Sequence, residues 1–134
     1  MNHRPPALAI KTPPQDFRPG GTYRAEERVM YGGKMARPGD RLYVLASDHC
    51  GGRGLVARGR VRDFAHVAGI VWRLEFSVDA LAREPLGRAE LKGTPSAPDR
   101  PGAAEIAFKF YRQATNKTAG ITAATADWLD GFFA

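Results

Sequence analysis

The chain has 134 residues, 43% of them hydrophobic, with a formal charge of +6, one cysteine, fifteen glycines and ten prolines. Those values suit one globular domain over 1–134 and exclude a disordered chain, a long-helix bundle and a disulfide-stapled scaffold. No apolar run approaches the roughly 20 residues of a membrane span, and the N-terminal apolar stretch is too short for a secretory signal, so a cytoplasmic protein with no membrane association is expected.

In chain order, Ala7 to Lys11 reads as a short buried strand, followed by a Pro/Gly-rich loop. Tyr23 to Tyr31 holds the helix formers Ala25, Glu26, Glu27 and Arg28, which predict a short helix stopped at Gly32-Gly33. A Pro38-Gly39-Asp40 turn then launches a strand over 41–47 that is apolar on both faces, through Leu42, Tyr43, Val44 and Leu45. The glycine-rich turn 48–54 reverses it into a second strand over 54–63. Arg58, Arg60 and Arg62 alternate there onto one face, with no acid between them.

Ile70, Trp72, Leu74, Phe76 and Val78 give the clearest period of two in the chain, a half-buried strand. Ala80 to Lys92 reads as a loop with a short helical turn, broken by Pro85 and Gly87, and Gly93 to Gly102 as a polar loop. Glu105 to Tyr111 alternates Ile106, Phe108 and Phe110 against Ala107, Lys109 and Tyr111, which favours a strand over a helical turn. Thr122 is placed to cap a terminal helix over 123–133, with Trp128, Leu129, Phe132 and Phe133 towards the core. Five or six strands with short peripheral helices make an α+β fold, a small mixed β pseudo-barrel.

Charge is one-sided along the chain. Residues 1–62 carry twelve Lys/Arg against five Asp/Glu, and residues 63–134 eight against nine. A basic half that contains an arginine strand suits a polyanion, and nucleic acid is the expected partner. Arg58, Arg60 and Arg62, with Arg53 in the turn, are the candidate phosphate contacts. Their guanidinium forks match phosphate oxygens and carry no sequence information.

The order of these pieces resembles the EVE domain of the PUA-like superfamily, with the ASCH domain as a neighbour. Lys11, Thr12 and Pro14 match that family's Lys-Thr-Glu-Pro pattern, with Pro13 in place of the glutamate. Gly39, Asp40, Ser47, Gly54, Leu55, Val56 and Val61 follow its Gly-Asp turn, Ser-ended strand and Gly-rich link. Trp72 to Val78, Leu91-Lys92 and Trp128 stand where an aromatic strand, a Leu-Lys segment and a helix tryptophan are found. Leu8 replaces the family's early tryptophan, and Leu45-Ala46 its aromatic-His pair.

The resemblance implies a PUA-like pseudo-barrel that binds DNA or RNA and reads a modified base, methylated or hydroxymethylated, flipped into an aromatic pocket. Such a pocket needs stacking faces, polar groups for the base edge and nearby cations. Trp72, Tyr43, Tyr23 and Phe110 are the candidate stackers. Lys11, Thr12 and Ser47 are the preferred polar contacts, while Asp48 and His49 read first as turn residues. The alternatives are a small ASCH-like hydrolase of modified nucleosides and a specificity partner of a separate nuclease.

No catalytic residue, cofactor or metal is expected. His3, His49 and His66 lack ligand spacing, and no phosphate-binding loop, nucleophile elbow or HExxH motif occurs.

Overall fold

The computed structural model describes residues 4–92 and 100–133; His3 and most of the predicted 93–102 loop lie outside them. Six strands form the frame: β1 (Ala7–Thr12), β2 (Thr22–Met30), β3 (Arg41–Ala46), β4 (Gly54–Ala68), β5 (Val71–Leu81) and β6 (Lys117–Ile121). They close into a ring in the order β1-β3-β4-β5-β2-β6. The pairs β1/β3 and β2/β6 are parallel and the remaining four antiparallel, so the sheet is mixed. The helices are α1 (Arg88–Leu91), α2 (Ala103–Ile106), which continues as a π-helical turn Ala107–Tyr111, and α3 (Ala123–Asp130). The result is an α+β pseudo-barrel. None of these helices is long and apolar enough to cross a membrane.

Two apolar clusters explain the continuous hydrophobic runs of β1 and β3. Leu8, Ile10, Leu42 and Val44 point into the ring with Ala57, Val61, Leu74, Phe76 and Val78. Their alternates Ala7, Ala9, Tyr43 and Leu45 point outward, against Ile106, Phe110, Ala126 and Leu129 of the helices. A strand buried on both faces has no polar positions to spare, which is why β1 and β3 do not alternate. Thr122 caps α3 as its sequence implies, its Oγ1 accepting a bond from the Thr125 amide at 3.3 Å. Leu129 and Phe133 are buried, and Trp128 and Phe132 half-buried.

Two segments depart from their local propensities. The segment predicted as helix, 23–31, is strand as far as Met30, with Tyr31 in the turn that follows: β2 pairs with β5 over Thr22 to Arg28 and with β6 over Arg28 to Met30, which closes the ring. Helix propensity is worth only tenths of a kcal/mol per residue, and two ladders of backbone bonds override it. Residues 105–111 are helical, not a strand. Ile106 and Phe110, four apart, are fully buried, while Phe108 between them is 50% exposed, a helical spacing concealed within an alternating sequence. The strand β6 has no signature in the sequence, because Lys-Thr-Ala-Gly-Ile lacks the aromatic and β-branched density that marks strands.

A candidate ligand site at the ends of β1 and β3

Parallel pairing brings Lys11 beside Leu45 and Thr12 beside Ala46, so β1 and β3 end together. The Ser47 amide continues the ladder to the Thr12 carbonyl at 2.9 Å, and the chain then turns through the 3-10 segment Asp48–Cys50. Asp48 thus stands directly over the end of β1. Its Oδ2 accepts a bond from the Arg88 amide at 3.2 Å, pinning the start of α1.

Its other oxygen is the informative one. Asp48 Oδ1 is buried and has no hydrogen-bond partner, and the same is true of the Tyr111 hydroxyl. Both residues line one cavity of about 220 Å³, together with Lys11, His49, Arg88 and Ala114. A second hollow of about 350 Å³ shares Arg88 and Tyr111 and adds Leu91, Lys92 and Ala107. A buried polar atom without a partner costs free energy comparable to a missing hydrogen bond, and both side chains that carry such an atom border this cavity.

The electrostatics of the cavity are mixed. The Lys11 ammonium donates to the Phe110 carbonyl at 2.7 Å and lies 4.8 Å from the Tyr111 ring centroid. Burial and then the charge of Lys117 pull its pKa down, opposed by Asp48. Burial, with the Asp48 charge second, pushes the Tyr111 hydroxyl up, so it stays protonated and can donate. The cavity is therefore bordered by a carboxylate, a phenol and flanking cations. Among the described residues no three His, Cys, Asp or Glu side chains converge to hold a metal ion.

The predicted base-pocket residues are not brought together. Lys11 reaches the cavity. Ser47 lies behind it, fully buried, its hydroxyl donating to Asn116. Thr12 points into the ring mouth and donates to Glu27 at 2.6 Å. Tyr43 and Phe110 are core residues with 1% and 0% exposure. Tyr23 packs on Phe17 and Phe76, and its hydroxyl binds the backbone of residues 16 and 18. Trp72 stacks on Phe64 at 4.7 Å, away from the cavity, and borders a larger, mainly apolar cleft of about 650 Å³ with His66, Ile70 and Lys34. That cleft has more room, but the side chains with orphaned polar atoms border the smaller cavity, and polar placement is what confers selectivity.

The arginine strand is likewise divided. Arg58 donates to Asp130 of α3 at 3.0 Å and Arg60 to the Gly39 carbonyl at 3.1 Å, while Arg53 and Arg62 are exposed. An acid absent from the strand is thus supplied by a distant helix. Sequence reasoning missed Tyr111, Arg88 and Asn116. Tyr111 was legible only through the helical alternative for 105–111, and nothing local marks Arg88 or Asn116.

No protein family and no curated protein matches this chain. Its structure is similar to the NMR structure of Rpa0253 from Rhodopseudomonas palustris, a structural-genomics target. The TM-score is 0.58 at 15% identity, over 94% of this chain and 91% of the other. At that identity the likeness shows the fold alone: a six-stranded mixed pseudo-barrel.

Proposed function

We propose that this chain is an EVE-type module that binds nucleic acid and takes a single modified base into the cavity between Asp48 and Tyr111. The observation that supports this reading is that two side chains with orphaned buried polar atoms border one cation-flanked cavity. Asp48 Oδ1 is an acceptor for an exocyclic amine, and the Tyr111 hydroxyl a donor for the neighbouring ring nitrogen or carbonyl. Cytosine and adenine both present that donor–acceptor pair on one edge. The base must leave its stack to reach the site, and Arg53, Arg62 and Arg88 are available for flanking phosphates. The modification preference rests on the EVE resemblance.

The test is fluorescence-anisotropy titration of DNA and RNA oligonucleotides bearing cytosine, 5-methylcytosine or 5-hydroxymethylcytosine, at two salt concentrations. The expected result is salt-sensitive binding with a preference for a modified base, and weaker binding of all three bases by Asp48→Asn, since the exocyclic amine that Asp48 would meet is common to them. Equal affinity for every oligonucleotide, unchanged in Asp48→Asn, removes the base-reading claim and leaves a phosphate surface. No binding at all removes both.

A further inference from the structure

Three adjacent strands place cations side by side on the outer face of the ring. Lys11 of β1 is the register partner of Lys117 of β6, and Lys117 is the register partner of Arg28 of β2. Like charges directly opposite one another in a sheet are destabilising, so a row of three demands compensation.

Lys11 has its own: its ammonium bonds the Phe110 carbonyl at the end of the helical segment. Lys117 does not. It is 3% exposed, and among the described residues neither a carboxylate nor a hydrogen-bond acceptor offsets its charge. The charges that act on it, Arg112 and Arg28, have the same sign and, after burial, lower its pKa further. Arg112 and Arg28 are both exposed, and the Arg112 guanidinium rests 4.3 Å from the Phe108 ring centroid. A lysine ammonium paired across the sheet with an arginine, under the charge of a second arginine and with no carboxylate to offset it, is an arrangement that an oxyanion completes, because the anion removes the repulsion and accepts charge-assisted bonds.

We propose that Lys117, Arg28 and Arg112 form a binding site for a phosphate oxyanion. The site is distinct from the Asp48–Tyr111 cavity and stands without the base-reading proposal. A free phosphate and a backbone phosphodiester present the same non-bridging oxygens to it. Lys11 belongs to both neighbourhoods, so a polynucleotide whose base entered the cavity would pass its backbone close to Lys117.

The test is thermal unfolding of the full chain in inorganic phosphate against chloride at matched ionic strength, for the native protein, Lys117→Met and Arg112→Ala. Phosphate at about tenfold its Kd is expected to raise the native Tm by roughly 4 °C. Lys117→Met is expected to lose that shift while melting higher than the native protein in chloride, since it removes a cation repelled by its same-sign neighbours. Arg112→Ala is expected to show a reduced shift. No phosphate shift in the native protein, or an equal shift in Lys117→Met, overturns the site. A single-stranded oligonucleotide that displaces the bound phosphate assigns the site to a nucleic-acid backbone, and one that leaves it bound assigns it to free phosphate. Asp48→Asn should retain the phosphate shift, so this result and the base-reading result can fail separately.

Discussion

Tyr43 of β3 and Asp130 of α3, 87 residues apart in sequence, share a hydrogen bond of 2.6 Å that ties the terminal helix to the ring. Arg41 donates to both, at 2.9 Å to the hydroxyl and 2.8 Å to the carboxylate, and Arg58 adds a bond to Asp130 at 3.0 Å. One carboxylate therefore organises two arginines and a tyrosine.

Because about a third of each charged side chain in this cluster remains in water, Asp130→Ala should cost only about 1–2 kcal/mol by urea unfolding. Burial first, and then the bond to Asp130, holds the Tyr43 hydroxyl up at about 12. A raised folded-state pKa contributes stability that is complete below the unfolded value near 10 and fades as pH rises through 12. Tyr43→Phe should cost about 1 kcal/mol at neutral pH and remove this residue's part of the alkaline limb of the stability profile. An unchanged alkaline limb in Tyr43→Phe would sink the assignment.

Glu27 makes the opposite prediction at neutral pH. Burial raises its pKa, and the bond from Thr12 only partly opposes this. Its contribution is therefore present in acid and fades as pH rises through the folded value, leaving a carboxylate that burial disfavours at pH 7. Glu27→Gln keeps an acceptor for Thr12 and should raise stability at pH 7, the gain shrinking as pH falls towards about 4. Chemical unfolding at both pH values checks it, and a gain that grows in acid contradicts it.

Tyr111→Phe separates a ligand group from a packing defect. Deleting an orphaned buried hydroxyl should leave the free protein as stable or more stable, by up to about 1 kcal/mol. The same change should weaken oligonucleotide binding if the hydroxyl meets a base. Lower stability of the free protein would mean that the hydroxyl already has a water partner.

The exposed arginines carry a separable expectation. Arg53→Ala with Arg62→Ala should reduce the salt slope of binding by about 2, one for each phosphate the pair no longer neutralises. Arg58→Ala should act mainly on stability, because its guanidinium is held by Asp130. A salt slope that falls by a full unit in Arg58→Ala would show that the ion pair opens on binding.

Gly59 fixes how closely β4 approaches β5. A Cβ there would overlap the Ser77 carbonyl oxygen, which belongs to backbone and cannot swing aside. The β5 strand bulges at this point, its pairing shifting register between Arg58 and Gly59. Gly59→Ala should cost on the order of 3 kcal/mol, seen as a loss of soluble protein or a depressed Tm.

Elements with a local pattern were legible from the chain alone. The continuous apolar runs of β1 and β3, the period of two in β5 and the threonine cap of α3 are each readable within a few residues. So was the one-sided charge, which depends on composition. Three-dimensional packing settled β2, the helical segment 103–111 and β6, since in each the local preference is weak and ring closure or packing against the outer face of β1 and β3 outweighs it. It also settled which side chains meet at the candidate site. Asp48 and Tyr111 lie 63 positions apart in the numbering, and neither looks unusual in its own segment. They meet only because the turn after β3 and the helical segment 107–111 border the same cavity. The same is true of the pairing of Arg58 with Asp130 and the row of Lys11, Lys117 and Arg28. Charges act through space, and only the closed ring sets which of them are neighbours.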